Sequence, residues 1–388
     1  MTNAADKAEE IFKDPENKSS NKQGKTQKTI SKRAKIILLI LAILFLLGMS
    51  WWIWKDEIGF SNIDLKSSDK SATCPLTGLS TSKEKSEQRP IGIMIENHTT
   101  ARPQSGINEA EMIFEAVAEG GITRFLAVYQ CGKEPKEIGP VRSARIYYVN
   151  WDKGLDALYA HVGGSPDGLE QVKNLDIADL DQSYLSNFYW RSSSRTAPHN
   201  VYTTLAKLRD AAKSKNFKTT GSIDEWKYSS SSKSAEVESA ELNVNFSSYN
   251  YNVSWKFDKI KNYWLRSQGG SAHKDSAGVQ VSAKNLAIMF TDISTRSDGR
   301  MDIETIGSGE AKVYINGKEI DAIWKKAAED KMLKFYDSTN KEIYFAPGNT
   351  WISAISTKSQ IKYSSTNLSK SDSESENTKE STNSESEE

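Results

Sequence analysis

The run Met112-Ile113-Phe114-Glu115-Ala116-Val117-Ala118-Glu119-Gly120-Gly121-Ile122-Thr123-Arg124-Phe125-Leu126-Ala127-Val128-Tyr129-Gln130 decides the fold. Two apolar segments, 112–118 and 122–130, carry β-branched and aromatic residues and flank Glu119-Gly120-Gly121, a turn signal. The pattern predicts two strands joined as a hairpin. Upstream, Ile91-Gly92-Ile93-Met94-Ile95 reads as a further buried strand. Downstream, Gly139-Pro140 predicts a helix start, because proline is favoured at the first helical position. Val141, Ala144, Tyr148, Trp151 and Leu155 would form the apolar stripe of that helix. Residues 158–162 predict a strand ending at Gly163-Gly164-Ser165-Pro166, and Thr203 or Thr204 can cap a helix running to Lys213. Strands alternating with helices make residues 89–228 an α/β block.

Beyond a serine-rich stretch, strand patterns dominate residues 239–356: 251–257, 287–291, 312–315, 334–336 and 342–345. The turn pairs Asn316-Gly317 and Pro347-Gly348 fall between or after them. This block is expected to be a smaller, mainly-β domain, with the option of adding to the first block's sheet. Residues 364–388 are Ser/Glu/Asn-rich and predict a disordered acidic tail.

The chain has 388 residues, and its 51 basic and 51 acidic residues cancel, so net charge selects no partner. Residues 36–54 carry no charge and would span roughly 28 Å as a helix, close to a bilayer's hydrocarbon thickness. Trp51, Trp52 and Trp54 cluster at one end, as interfacial indoles do. The basic tail, residues 1–35, lies before the run, and Asp56 and Glu57 follow it. The positive-inside rule then predicts a single-pass signal-anchor with a cytoplasmic N-terminus and an extracellular C-terminal domain. Gly48-Met49-Ser50 makes a poor signal-peptide cleavage site, and the first cysteine, Cys74, is too distant for a lipidation site. The expected fold class is therefore α/β: a layered α/β N-terminal domain and a smaller mainly-β C-terminal domain, preceded by one transmembrane helix and a linker, 55–88. Membrane lipid is the partner expected for the helix. The basic tail reads as a topology signal, and nucleic acid is not expected at the outer domain. Cys74 and Cys131 allow one intramolecular bridge or two free thiols.

Polar residues of the first block are the candidate site. Arg102, Gln104, Arg124, Arg142, Ser143, Arg145, Asp181, Arg191, Arg195 and Asn200 are candidate ligand-binding residues. Arg142 and Arg145, three apart on the expected helix, would be surface neighbours near its positive end. Something negative is therefore expected beside them: a ligand phosphate or carboxylate, or Glu115 or Glu119. Glu115, Glu119 and His199 are the acid/base candidates, whereas His161 reads as a core residue. The sequence contains no His-Glu-x-x-His, no Gly-x-Ser-x-Gly and no Walker-type phosphate loop, and no metal or cofactor is expected.

An ordered series of motifs carries a resemblance: Cys74-Pro75-Leu76-Thr77-Gly78-Leu79, Arg89-Pro90, Ala101-Arg102-Pro103-Gln104-Ser105-Gly106, Glu119-Gly120-Gly121-Ile122-Thr123-Arg124, Gly139-Pro140-Val141-Arg142-Ser143-Ala144-Arg145 and Arg195-Thr196-Ala197-Pro198-His199-Asn200. Gly163-Gly164-Ser165, Gly307-Ser308-Gly309, Asn316-Gly317-Lys318, Trp324-Lys325-Lys326 and Pro347-Gly348-Asn349-Thr350-Trp351 complete it. Over residues 74–356 the chain resembles the YerB-like family of bacterial surface proteins, commonly lipoproteins of Gram-positive organisms. The resemblance implies an α/β N-terminal domain, a smaller β-rich domain and no established activity. A non-catalytic envelope-binding module for an anionic ligand or partner protein is the leading expectation. The alternative is a hydrolase acting on a cell-wall glycan or phosphate-containing polymer.

Overall fold

The computed structural model describes residues 71–229 and 237–367, together with Leu41, Ile43 and Leu44. The chain divides into two units, Met1–Ser68 and Asp69–Glu388. Of the first, only those three helical residues are described.

The second unit is built on strands. β1 (Ile91–Glu96), β2 (Met112–Val117), β3 (Thr123–Tyr129), β4 (Leu158–His161) and β5 (Ala178–Asp181) come from the first block. The second block supplies β6 (Val237–Asn245), β7 (Asn252–Asp258), β8 (Tyr263–Gln268), β9 (Asn285–Phe290) and β10 (Gly307–Ile315). It continues with β11 (Lys318–Lys326), β12 (Lys334–Tyr336), β13 (Thr350–Ile355) and β14 (Ile361–Asn367). Three helices accompany them: α1 (Ile146–Gly154), α2 (Pro166–Asn174) and α3 (Leu205–Ser214).

The central hairpin forms where its sequence places it. Gly120 and Gly121 take φ of 66° and 74°, a left-handed pair that side chains with a Cβ adopt at a cost. Ala118 N–H donates to Ile122 O at 2.7 Å, closing the loop. Strands β1, β2, β3, β9 and β13 are buried almost throughout, which explains why they read as continuous apolar runs. Successive residues face opposite cores. Ile91, Ile93, Ile95 and Ile113 join a core with α3 and strands β6 to β8, while Met94, Met112, Phe114 and Ala116 pack towards α1. Gly92 lets α1 approach closely, since a Cβ there would lie 2.1 Å from Asp152 Oδ1.

The expected fold class is corrected. A single ten-stranded mixed sheet runs β12-β11-β10-β9-β13-β2-β3-β1-β4-β5 through both blocks, so they do not form separate α/β and β layers. β13 pairs in parallel with β2, and β9 in parallel with β13. Together with a second sheet, β8-β7-β6-β14, strands far outweigh helices. The physical reason is edge protection: β2 would otherwise present an unpaired apolar edge, and an apolar strand from far along the chain covers it. No helix among the described residues is long and apolar enough to cross a membrane, so the expected membrane-spanning element is also corrected. The run 36–54 itself lies outside the described residues apart from the three named above.

Local differences have equally specific causes. Gly139 to Ala144 is extended, not helical: Arg142 N–H donates to Met94 O at 2.8 Å, and Arg142 O accepts from Val162 N–H at 3.0 Å. Those bonds insert the segment between the last residues of β1 and the loop after β4, and α1 starts only after Arg145. Arg142 and Arg145 are therefore not neighbours on a helix. The 342–345 segment makes only isolated bridges. Ile361 to Asn367 forms β14 against β6, so the region expected to be a disordered tail begins with ordered strand; residues 368–388 lie outside the described ones. Asn316 and Gly317, with φ of 52° and 82°, form the two-residue turn joining β10 to β11.

A buried polar ring ties the second sheet to the first. Glu115, on the β2 face towards β8, accepts from Arg266 Nη2 at 2.8 and 3.0 Å, from Trp351 Nε1 at 2.9 Å and from Thr123 Oγ1 at 2.9 Å. Asn97 Nδ2 donates to Thr123 Oγ1 at 2.6 Å, and Asn97 Oδ1 accepts from Gln104 Nε2 at 3.0 Å. Gln104 Oε1 accepts from His273 Nε2 at 2.8 Å, and the other ring nitrogen of His273 accepts from Arg266 at 2.5 Å. The Arg266 guanidinium lies 4.7 Å from the Trp351 ring centroid, between Phe125 and Trp255.

Removing one partner strands the other charge in the interior. Glu115→Ala is expected to cost about 3–5 kcal/mol in urea-denaturation experiments at neutral pH. A loss below about 1 kcal/mol would remove the pair from its central place. The ring also sets a pH dependence. Burial first, then Arg266 and Arg102, hold the His273 pKa well below the imidazole range. The unfolded imidazole, near pKa ~6.5, binds a proton that the folded one refuses. Its contribution is therefore full above about pH 6.5 and is lost progressively as pH falls below that value. Stability is expected to decline from pH 7 to pH 5, with a shallower decline in His273→Gln, read as the urea midpoint against pH.

Candidate functional site at the carboxyl edge of the sheet

β1, β2, β4 and β5 run in one direction and end along one edge of the sheet. Ligands of α/β sheets commonly bind outside such carboxyl ends. Glu96 ends β1, Glu119 occupies the β2–β3 turn, and Arg124 sits at the start of antiparallel β3 opposite Glu96. The extended segment from Gly139 to Arg145 lies across this edge. The peptide bonds Arg102-Pro103, Gly139-Pro140 and Ala197-Pro198 are all cis.

These residues form an alternating charge ladder. Arg142 Nε donates to Glu96 Oε2 at 2.7 Å, and Arg124 Nη2 lies 3.9 Å from Glu96 and 3.8 Å from Glu119. Arg145 grips Glu119 through two nitrogens, its Nη2 donating at 2.7 Å. Arg124 is nearly buried, donates to Ser143 O at 3.1 Å and leaves its Nε without a partner. Burial would raise the Glu96 carboxyl, but Arg124 and Arg142 outweigh it and hold its pKa below the usual value. Burial likewise opposes ionisation of Glu119, and Arg145 and Arg124 overcome it. Two ionised carboxylates thus face three guanidiniums, leaving one surplus positive charge.

Beside the ladder, Thr100 Oγ1 contacts the ring nitrogens Nδ1 of His98 at 2.9 Å and of His199 at 2.7 Å. The two imidazoles lie 4.8 Å apart, and His199 Nε2 is 3.9 Å from Glu96 Oε2. Burial lowers the His199 pKa, Glu96 partly opposes this, and Arg142 and His98 add to the lowering. Arg195 donates to Thr100 O at 2.6 Å and to Pro103 O at 2.7 Å. Thr100, Ser193, Ser194, Arg195, Thr196 and His199 line an open cleft of about 440 Å³.

The other predicted residues are spread across different tasks. Arg102 donates to Asn97 O at 2.9 Å and to Asn250 O at 3.0 Å, and lies over the Tyr251 ring. Burial lowers its pKa to about 10, with Arg266 adding to the effect. Gln104 and Glu115 are consumed by the buried ring, and Glu115 has no exposure to solvent. Asp181 fixes the loop after β4, accepting from Gly163 N–H and Ser183 N–H at 2.9 Å each. Arg191 donates to Asn200 Oδ1 at 2.8 Å, and Asn200 braces the 192–195 turn. Ser143 takes part through its backbone carbonyl. Cys74 and Cys131 form a disulfide at the opposite edge of the sheet.

Sequence reading missed Glu96, Asn97, His98, Arg266 and His273. Glu96-Asn97-His98 had a usable signal, a polar triplet directly after an apolar strand. Trp264, Arg266 and Gln268 alternate inward along β8, so a charge at an inward position marked Arg266.

The comparisons with known proteins agree with one another. Residues 76–218 match the family described as "Protein of unknown function (DUF3048) N-terminal domain", and residues 242–352 match the corresponding C-terminal domain. The chain is 32% identical over 295 residues to the Bacillus subtilis (strain 168) protein called "Putative lipoprotein YerB", covering 74% of this chain and 87% of that protein. It also matches the crystal structure of YerB from Bacillus subtilis with a TM-score of 0.70 and 30% identity, covering 76% of this chain and 99% of that one. A lipoprotein is held by a lipid, and no described helix is long and apolar enough to span a membrane. The expected single-pass location, cytoplasmic N-terminus and extracellular C-terminal domain, is corrected accordingly. With both domain models matched in order and a YerB-like relative aligned over most of its length, the chain belongs to the DUF3048 family, whose function is unknown.

Proposed function

We propose that this protein is a non-catalytic cell-envelope binding module whose ligand is an anionic, phosphate- or carboxylate-bearing polymer. The observation that carries this reading is the open cleft at Arg195 and His199, beside a ladder with one surplus positive charge. Serine and threonine hydroxyls at its rim supply donors for anionic oxygens, and the surplus charge favours an anion without requiring any single arginine to be free. The disulfide fits an oxidising compartment, and the similar protein's description as a lipoprotein supports an envelope setting.

The hydrolytic alternative has no favouring observation. An acid catalyst needs a carboxyl kept protonated near neutral pH and open to substrate. Glu119 is held ionised by arginine, and Glu115 is sealed in the core. Acid/base work would fall to His199, whose Nδ1 is occupied by the Thr100 hydroxyl, a group also held by His98 Nδ1.

The full chain is expected to bind poly(glycerol phosphate) in preference to an uncharged glycan of similar length, and more weakly as salt rises. Arg195→Ala with His199→Ala should weaken that binding about tenfold or more, measured calorimetrically, while circular dichroism stays unchanged. Unchanged affinity in the folded double variant would overturn the proposal. Arg142 is the wrong residue to remove, because its loss leaves Glu96 buried beside only Arg124 and confuses binding with folding. Affinity should also rise as pH falls through the depressed His199 pKa, and this rise should vanish in His199→Ala.

A further inference from the structure

The opposite edge of the sheet holds a second constellation. Glu111 precedes β2 and Cys131 follows β3, so both lie at the opposite ends of these strands from Glu119 and Arg124, roughly 20 Å away along β2. Cys74 reaches them from the segment before β1, and its sulfur lies 3.3 Å from Glu111 Oε1. The donor atoms of Cys74, Glu111 and Cys131 all fall within 4.8 Å of one another.

Three features distinguish this place from an ordinary structural bridge. First, Glu111 is a buried carboxyl group with no ion-pair partner among the described residues, and the two sulfurs are its only neighbours of metal-ligand type within 4.8 Å among those residues. Burying a carboxylate without a cation is costly. Second, its orientation is fixed from behind. Glu111 accepts from the backbone N–H groups of Gln130 and Cys131, and its own backbone bonds Val128 O and Thr350 N–H at 2.9 and 3.1 Å. Bonds of this kind hold metal ligands in place. Third, the three residues line an open cleft of about 450 Å³, reached by Leu79, Asn108, Tyr263 and Asn349 from four chain segments. The cleft provides an entry path and room for a water ligand.

We propose that, in the dithiol state, Cys74, Cys131 and Glu111 form a site for a thiophilic divalent cation such as Zn²⁺, and that the disulfide is its closed form. Two thiolates and one carboxylate with a fourth position open to solvent match zinc's preferred donors and tetrahedral arrangement. Opening requires a thiol reductant. Two reductant thiols give up two electrons and two protons to the bridge and become a disulfide, and the protein gains two thiols. The incoming cation then displaces both thiol protons as the thiolates coordinate. The site is independent of the anion cleft, so either proposal can fail alone.

The test uses the full chain, oxidised or reduced with excess dithiol that is then removed under anaerobic conditions. Co²⁺ is the spectroscopic probe and Zn²⁺ the competitor. The reduced protein should bind one Co²⁺ with a sulfur-to-metal charge-transfer band that Zn²⁺ abolishes, while the oxidised protein shows none. Cys131→Ser should eliminate the band, and Glu111→Gln should weaken affinity about 10- to 100-fold. Glu111→Gln is first shown by circular dichroism to fold in its oxidised form. Absence of the band in the reduced wild type, equal binding by the oxidised protein, or unchanged affinity in Glu111→Gln would overturn the proposal. Reduction that unfolds the protein would also overturn it, unless added Zn²⁺ restores the native spectrum, which would support it.

Discussion

Glu115 and Arg266 are both fully buried, stand 151 residues apart in the chain, and face each other at 2.8 Å. Neither charge is tolerable without the other, so the second sheet has one register in which it can close on the first. Trp351, Thr123, His273 and Gln104 extend the hydrogen bonding around the pair, and of the Arg266 nitrogens Nε alone is left without a partner. A buried ion pair is weak evidence for net stability, because apolar residues of similar shape can do as well. Its stronger role here is to specify which strand faces which.

The same accounting decides the character of the carboxyl edge. A row of arginines in sequence suggests an anion site, yet each guanidinium already has partners. Glu96 takes Arg142, Glu119 takes Arg145, and Arg124 is shared between them. What remains is a surplus of one charge and an unpartnered Nε, a field rather than a clamp. Such a field favours anions broadly and offers little geometric selection, so the shape of the neighbouring cleft has to supply the specificity.

The two ends of the β2–β3 hairpin therefore carry different chemistry. One end gathers guanidiniums and imidazoles around ionised carboxylates. The other gathers sulfur around a carboxyl group with no ion-pair partner among the described residues. The rigid, fully buried strands between them fix both constellations without mixing them.

Local patterns announced the hairpin at Met112 to Gln130, the helix capped at Thr203 or Thr204, the Asn316-Gly317 turn and the ordered motifs that mark the family, because turn chemistry and strand composition act within a few residues. They also named most residues of the arginine ladder. They mistook the Gly139 segment for a helix, since its hydrogen bonds go to β1 and the loop after β4, which no local window contains. They left out Glu96 and Arg266 because a charge's value depends on what it is buried against. The order of strands, the insertion of β13 beside β2 and the neutralisation of each arginine were settled only in three dimensions, where edges must be covered and buried charges must be paired.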